Sequence, residues 1–421
     1  MKHLLFMVIL PLLLSGGKGE AKLLDAVVSA ESAILINADT GAVLYEKNAR
    51  QLQFPASLTK IATAAYTLSI KGGDLDEMIV ADRDVFASIS EEKIRRSNYT
   101  LPSHWLDQKA THIGIKAGEE LSLRDLLHGM LIASGADASN VIAKHVGGSI
   151  STFMEGMNHY LQELGCRQTV LTNPHGLHHP NQQTTAYEMA QITREALNNP
   201  TFREIVKKTQ AARPQTNMQK ATTLVQSNKL LRQGKYYYSK AIGVKTGYTS
   251  DAQYTFVGAA KDRERTLIAV LLKCEKREER FKDAKKLFEL AFSETKRRRT
   301  LLNSGRQAPT LTLPGAAKPL EGYIEHDVVI ESYPAEEPEI SCFLSWNRVE
   351  IPVKKGQQVG QLTIEDREGS ILRTEPLLAA EDVSFSWHHR LTQWVGAYPY
   401  LKLLAAGIFS CFFLLRFRIR K

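Results

Sequence analysis

The chain has 421 residues, of which 43% are hydrophobic, so it is long enough for two domains with substantial cores. Its formal charge of +9 comes from basic residues that are spread along the sequence, apart from Lys296-Arg297-Arg298-Arg299 and the C-terminal end. No nucleic-acid-binding motif accompanies them, so the charge favours an anionic membrane or cell-wall polymer over nucleic acid as partner.

The N-terminus has the pattern of an export signal. Lys2 and His3 precede an apolar run from Leu4 to Leu14, and small residues lead to a cleavage site at Gly19-Glu20-Ala21. The apolar run is too short to span a membrane. We therefore predict a signal peptide over 1–21 and a mature protein outside the cytoplasm.

The first half of the chain predicts a hairpin followed by helices. Two apolar runs, Ala33 to Asn37 and Ala42 to Lys47, flank a turn and predict a β-hairpin. A helix is predicted to open at Ser57, and further helices over Leu121 to Gly147 and Thr184 to Asn198. The charged stretch from Asp82 to Thr111 is predicted to be a surface insertion beside the site, and its sequence does not indicate its role.

The second half begins with strands that return to the same sheet. A strand is predicted over Ile242 to Gly247, then a hairpin of Gln253 to Ala260 and Thr266 to Leu272, then an amphipathic helix over Arg277 to Arg298. Hairpins at both ends with helices between them predict an α+β domain over 22–300, with one antiparallel sheet flanked by helices.

Past residue 300 the chain changes in character. Prolines punctuate short β-rich runs, which predict a small all-β domain over 307–378. An apolar stretch with aromatic residues before it and basic residues after it predicts a membrane helix over 394–415 with a cytoplasmic tail, 416–421. The alternative is a helix lying on the membrane surface, in which charges would recur along one face.

The four cysteines and the histidines indicate no metal site. Cys166, Cys274, Cys342 and Cys411 are widely scattered and lack metal-ligand spacing. His175, His178 and His179 lie in a Pro/Gly-rich loop without the His-Glu-x-x-His pattern of a zinc site, so they are interpreted as polar loop residues. We predict no metal and no cofactor.

Three short elements carry the predicted chemistry. Ser57 and Lys60 are three residues apart on a helix and therefore share a face, so a neutral Lys60 amine can take the Ser57 hydroxyl proton. Lys245 would lower the pKa of Lys60 as a neighbouring cation and hold a substrate carboxylate, to which Thr246 would donate. Gly247 leaves room for substrate along the strand. The Ser57 N–H and the Tyr248 N–H are candidate oxyanion donors.

These elements and their flanks resemble one family, the serine-type D-alanyl-D-alanine carboxypeptidases, or low-molecular-mass penicillin-binding proteins. Besides the Ser57/Lys60 pair, the resemblance covers the opening hairpin, Asn173 to Leu177, Thr184 to Ala190, and Gly243 to Thr249. It implies a penicillin-binding/β-lactamase-like transpeptidase fold, with Ser57, Lys60 and Ser134 catalytic. Substrate would be bound by Lys245, Thr246, Gly247, Tyr248 and Thr249.

The resemblance also implies a reaction and its partners. Ser57 would attack the bond between the last two D-alanines of a peptidoglycan stem peptide, releasing the terminal D-alanine through an acyl-enzyme. β-Lactams would acylate Ser57 as covalent inhibitors. The enzyme would lie on the extracytoplasmic side, anchored to the membrane by its C-terminus. The sequence leaves the oligomeric state open.

The second family element departs from its usual form. The family has Ser-x-Asn, but this chain has Ser134-Gly135-Ala136, so the amide that orients the lysine is missing. Asn140, one helical turn further on, is a candidate substitute. The loss leaves open a catalytically impaired peptidoglycan-binding or scaffold protein of the same fold. A DD-endopeptidase is a further alternative. So is a class A β-lactamase, which needs a Glu-x-x-Leu-Asn block; the nearest match is Glu195-Ala196-Leu197-Asn198.

Overall fold

The computed structural model describes residues 9–11, 21–108, 110–367 and 369–397, with side chains from 21 to 394 in these ranges. The chain divides into two compact units. The N-terminal unit consists of Lys22–Thr295 and Pro334–Glu336. The C-terminal unit contains Lys296–Tyr333, the described residues between 337 and 397, and the short strand Ile9–Pro11. Each unit has a core of its own.

The α-helices of the described ranges lie mostly in the N-terminal unit. They are α1 Thr59–Lys71, α2 Glu91–Arg96, α3 Leu123–Leu131, α4 Ala136–Gly147, α5 Ile150–Glu163, α6 Ala186–Asn198, α7 Pro200–Val206, α8 Glu279–Ser293 and α9 Trp387–Ala397.

The β-strands are divided between the units. They are β1 Ile9–Pro11, β2 Ser32–Asn37, β3 Val43–Lys47, β4 Met78–Val80, β5 Ser88–Ile89, β6 Leu106–Asp107, β7 Glu120–Ser122, β8 Gln210–Arg213, β9 Thr222–Val225, β10 Ala241–Thr249, β11 Gln253–Asp262, β12 Arg265–Cys274, β13 Arg297–Leu302, β14 Gly305–Leu311, β15 Leu320–Ile324, β16 Val328–Ser332, β17 Ile340–Trp346, β18 Gln358–Asp366 and β19 Ile371–Ala379.

A five-stranded antiparallel sheet in the order β10-β11-β12-β2-β3 forms the middle of the N-terminal unit. Strand β12 reads Leu-Ile-Ala-Val-Leu-Leu because both of its faces are buried. Ile268 and Val270 pack with the helices on one side, whereas Leu267 and Leu271 pack with Phe281 of α8 on the other. The predicted α+β layering and both predicted hairpins are therefore confirmed, and β10 lies at the sheet edge.

One predicted helix is two helices. The chain from Leu121 to Gly147 begins in β7, and Ser122 caps α3 by accepting from the Asp125 N–H. The helix then stops, because the Gly135 N–H bonds back to the Gly129 carbonyl and the Ala136 N–H bonds to the Thr111 carbonyl. Within this break Ser134 has a φ of +64°. The break is what presents Ser134 to its surroundings.

The predicted helix over Arg277 to Arg298 is shorter than expected. α8 ends at Ser293, and Arg297–Arg299 begin β13, which pairs antiparallel with β16. Pairing with the Val328-Val329-Ile330 run outweighs the helical preference of the arginines.

The C-terminal unit is mainly β, as predicted. Its six-stranded sheet has the order β1-β17-β18-β19-β15-β14 around a core that includes Leu320, Leu344 and Leu362. The predicted membrane helix starts within α9, and its remainder lies outside the described residues. Over the described ranges, the helices are all too short or too polar to cross a bilayer. Of the predicted signal peptide, Ile9–Pro11 pair with β17 and Ala21 is described, whereas the rest lies outside the described ranges.

Candidate active site

Ser57 and Lys60 meet where a 3-10 turn, Ala56–Leu58, runs into α1. The Lys60 Nζ lies 3.1 Å from the Ser57 Oγ and 2.5 Å from the His175 carbonyl oxygen, to which it donates. Ala56 adopts a φ of +49°, a sparsely populated conformation for alanine, so the backbone that presents Ser57 is strained. The predicted pairing of Ser57 with Lys60 is present.

Lys60 is buried beside a second lysine. Burial, and after it the charge of Lys245, hold the pKa of the Lys60 ammonium well below its usual range, against an opposing effect of Asp137. The Asp137 carboxylate is itself held by the backbone N–H groups of Ile113, Gly114 and Ile115. Lys60 can therefore be a neutral amine, the form in which a lysine accepts a proton.

Ser134 and Lys245 form a second pair. The Lys245 Nζ donates to the Ser134 Oγ at 2.9 Å and to the Thr246 carbonyl at 3.0 Å. Lys245 is fully buried, and burial, with a smaller effect of the Arg280 charge, lowers its pKa to about 7. Two lysine–serine pairs thus come from three separate segments of the chain, the start of α1, the break at Ser134 and β10.

The edge strand β10 runs past the Ser57 turn. The Thr246 Oγ1 lies 2.6 Å from the Ser227 Oγ. At Gly247 an added Cβ would lie 2.3 Å from the Thr255 Oγ1 and 3.0 Å from the Ser57 nitrogen. Glycine is therefore required for the strand to approach the Ser57 amide this closely. Tyr248 and Thr249 continue the strand along the same cleft.

These residues line one cleft of about 640 Å³. It contains Ser57, Lys60, Ser134, Thr246, Gly247, Tyr248 and Thr249, and Lys245 lies buried beneath it. The insertion from Asp82 to Thr111 supplies a wall, with Glu91, Arg95, Tyr99 and Thr111 among the lining residues. The insertion therefore lies beside the site, as predicted.

Arg280 belongs to the cleft although the sequence interpretation did not include it. Its Nη1 donates to the carbonyls of Gly247 and Thr255 at 2.9 and 3.0 Å, and burial lowers its pKa to about 10. A signal was available. Arg280 falls at helical spacing with Ala284, Leu287 and Ala291 on the buried side of α8, where a charged residue needs a reason.

The loop that contains His175, His178 and His179, here called the histidine loop, supports Lys60 through the His175 backbone carbonyl. His175 is buried; its Nδ1 accepts from the Leu177 N–H, which leaves the proton on Nε2 to donate to the His104 carbonyl at 3.2 Å. Burial and the Lys60 charge hold its pKa well below the usual range, so the ring is neutral. Within the described ranges, His, Cys, Asp and Glu side chains form no group of three suited to a metal.

The positions of Asn140 and Glu195 do not support the roles that the sequence left open for them. The Asn140 amide donates to the carbonyls of Val85 and His104, so it does not replace the family asparagine at Lys60. Ala136 itself lines the cleft. Glu195 accepts from Asn198 and lines a separate cavity of about 270 Å³, away from Ser57.

Comparison with known proteins identifies relatives along both units. A family model described as D-alanyl-D-alanine carboxypeptidase matches residues 20–276, and one for the C-terminal domain of penicillin-binding protein 5 matches 318–384. The chain is 30% identical to the D-alanyl-D-alanine carboxypeptidase DacF of Bacillus subtilis over 361 residues, which is 84% of this chain and 86% of DacF.

Solved structures show the same fold. The D-alanyl-D-alanine carboxypeptidase DacD of Francisella tularensis superposes with a TM-score of 0.59 at 23% identity, covering 87% of this chain and 96% of DacD. The Streptomyces K15 DD-transpeptidase superposes with a TM-score of 0.55 at 26% identity, covering 64% of this chain and all of that protein. The chain therefore belongs to the D-alanyl-D-alanine carboxypeptidase family and is a serine-type hydrolase of the low-molecular-mass penicillin-binding type.

Proposed function

We propose that Ser57 is the nucleophile and Lys60 its general base in the release of D-alanine from peptidoglycan stem peptides. The observation that carries this assignment is the 3.1 Å approach of the Lys60 amine to the Ser57 hydroxyl, in a setting that lowers the pKa of Lys60. As the Ser57 Oγ bonds to the scissile carbonyl carbon, its proton passes to the Lys60 Nζ.

We place the substrate along the free edge of β10. An extended peptide can add to a sheet edge as a further strand. Its terminal carboxylate would lie near the hydroxyls of Thr246 and Ser227 and the Arg280 charge, with Lys245 buried behind them. The oxyanion would accept from the N–H groups of Ser57 and Tyr248, and the side-chain-free Gly247 keeps this space open.

The pair Ser134–Lys245 would protonate the leaving group. The Lys245 Nζ donates to the Ser134 Oγ, so the Ser134 hydroxyl proton is free to move to the departing D-alanine nitrogen and is replaced from Lys245. The product is an ester on Ser57. The proton that Lys60 took from Ser57 passes to the nearby Lys245 amine, which has just given one up, so Lys60 is neutral again. Lys60 then deprotonates a water molecule that attacks the ester, and the departing Ser57 oxygen takes this proton back from Lys60, which regenerates the Ser57 hydroxyl. A β-lactam would acylate Ser57 by the same first step.

Two measurements on the wild-type protein test this function. Incubation with a fluorescent penicillin should give a covalent adduct whose mass maps to the peptide containing Ser57. A synthetic stem pentapeptide should lose its terminal D-alanine as the free amino acid. Labelling without D-alanine release would favour the impaired binding protein, and the absence of both would contradict the assignment.

Filling the space at Gly247 should remove activity. We expect Gly247→Ala to lower D-alanine release at least about 100-fold, because the new Cβ crowds the Ser57 amide that serves the oxyanion. The release rate and penicillin labelling measure the effect. Gly73→Ala is the control, since an added Cβ there meets nothing within 4 Å. Equal rates in the two variants would contradict the placement of the oxyanion.

Restoring the missing amide should speed the reaction. We expect Ala136→Asn to raise the turnover number about tenfold, because residue 136 lines the cleft and an amide there can orient the lysine and the substrate. Ala136→Leu, of similar size but apolar, should give no gain. If both variants behave alike, the missing amide does not limit the rate.

The location of the enzyme follows from its substrate. Because peptidoglycan lies outside the cytoplasmic membrane, we propose an extracytoplasmic enzyme that is exported by the 1–21 signal peptide. We propose that the catalytic domain, 22–300, is followed by the β domain, 307–378, and by a membrane anchor, 394–415, with the tail 416–421. The aromatic and basic residues that flank the anchor support this order. Detection of the mature N-terminus near Lys22 in a membrane fraction tests it.

A further inference from the structure

The cleft has a wall that is held in place by a small number of specific contacts. This wall, residues 91–99, consists of α2 and the turn that ends at Tyr99. α2 has no buried residue, although Glu91, Ile94, Arg95 and Tyr99 line the cleft. A helix that buries no side chain has low local stability, so the few specific contacts of this segment determine where it lies.

Arg95 provides the main contact across the cleft. Its Nη2 lies 2.7 Å from the Asp251 carboxylate and donates at 3.3 Å to the Ser250 Oγ, just beyond the end of β10. The same guanidinium bonds to Glu91 of its own helix at 2.8 and 3.0 Å. Arg95 therefore ties α2 to the strand along which we place the substrate.

Asp251 also contacts the histidine loop. The His178 Nε2 lies 3.7 Å from its carboxylate, and the Tyr99 ring packs edge-on against the rings of His178 and His179, with centroids 5.6 and 5.5 Å apart. Asp251 is thus the point where the wall, the histidine loop and the end of β10 meet.

The wall lies too far along the strand to touch the reacting groups. Ser250 is four residues beyond Thr246, which at about 3.3 Å per residue is roughly 13 Å along the chain. A peptide whose carboxylate lies at Thr246 reaches this level with the residues that precede the scissile bond. The bicyclic core of a β-lactam, about the size of a dipeptide, does not extend that far.

We propose that Arg95 and Asp251 are positioning residues for peptide substrates. Their ion pair holds residues 91–99 so that Glu91, Ile94 and Tyr99 form the cleft face against which the stem peptide binds, through the residues two and three positions before the scissile bond. This inference rests on the proposed function, because it requires the peptide to lie along β10. It predicts separate effects on long peptides and on small acylating agents.

Arg95→Met tests the proposal, with Arg96→Met as matched control. Arg96 is the next residue of α2, is 77% exposed and pairs only with Glu92 among the contacts described. We expect Arg95→Met to lower kcat/KM for a stem pentapeptide about fivefold, mainly through a higher KM, because an exposed ion pair contributes at most about such a factor. The rate of penicillin acylation should stay within about twofold. Arg96→Met should leave both rates unchanged.

A double-mutant cycle adds a second criterion. Asp251→Asn should resemble Arg95→Met, and Arg95→Met/Asp251→Asn should be no worse than either single variant, because all three lack the same ion pair. The proposal is overturned if Arg95→Met equals Arg96→Met on the peptide, if the two changes are additive, or if penicillin acylation falls as much as peptide turnover. Failure of wild-type labelling would instead overturn the proposed function.

Discussion

Replacing Ser57 by alanine should lower D-alanine release from a stem pentapeptide by at least about 10⁴-fold and abolish covalent labelling by penicillin. The loss should be this large because, in a serine peptidase, the nucleophile forms the bond on which every later step depends. The fold should be unaffected, since the substitution removes one hydroxyl at the floor of an open cleft. Steady-state D-alanine release and gel fluorescence measure the two effects.

Replacing Lys60 in addition to Ser57 should not lower the rate of D-alanine release further. In our assignment Lys60 acts on the Ser57 hydroxyl and on the water that attacks the Ser57 ester, so Ser57→Ala leaves it without a function. We therefore expect Ser57→Ala/Lys60→Met to be about as slow as Ser57→Ala alone, although Lys60→Met alone should also be strongly impaired. A further large drop in the double variant would show that Lys60 acts on another atom.

The parts of the fold that local patterns determine could be predicted from the sequence. The hairpin of β2 and β3 has a turn between two apolar runs, and the Ser57/Lys60 pair depends only on helical spacing. The place of β10 at the sheet edge was not part of the prediction, whereas the strand itself followed from the sequence pattern. The break at Ser134 did not, because the Gly135 and Ala136 N–H groups bond to carbonyls outside the regular helical pattern, one of them at Thr111.

The electrostatic properties of the site could also be predicted only in part from the sequence. The sequence does not show whether a lysine side chain is buried. The low pKa of Lys60 could therefore be inferred only from the structure, in which α1 packs against the histidine loop. His175 contributes its backbone carbonyl oxygen. Because every residue has such an oxygen, the residue type gives no indication of this contact. The wall from 91 to 99 is charged and exposed, and its contact with Asp251 joins segments 156 residues apart. Such contacts follow from tertiary structure alone.

The buried lysines should make the stability of the protein depend on pH. Lys245 has a pKa of about 7 in the folded protein, against an ordinary value of 10.5. Between these values the unfolded chain binds a proton that the folded chain does not, so the free energy of unfolding rises with pH across this window. A shift of this size corresponds to up to about 5 kcal/mol, present above pH 10.5 and lost as the pH falls to about 7.

Lys245→Met should therefore stabilise the enzyme at pH 7 while inactivating it. We expect the free energy of unfolding to rise by about 2 kcal/mol. The cost of burying the Lys245 amine is removed, and this cost exceeds the contribution of its hydrogen bonds to Ser134 and to the Thr246 carbonyl. The rise in stability between pH 7 and 10.5 should become smaller, and the remainder should come partly from Lys60. Guanidinium unfolding followed by helical circular dichroism measures the free energy of unfolding and its pH dependence, since α1 to α8 lie in the N-terminal unit.

Lys276→Met is the control for this measurement. The Lys276 side chain is 74% exposed and lies 3.7 Å from the Glu279 carboxylate, so its removal should leave the pH dependence of unfolding as in the wild type. If Lys245→Met and wild type show the same slope between pH 7 and 10.5, Lys245 is charged throughout this range in the folded protein. The Ser134–Lys245 pair would then carry a fixed charge beside Lys60, and the proposed transfer of a proton from Lys245 through Ser134 would be wrong.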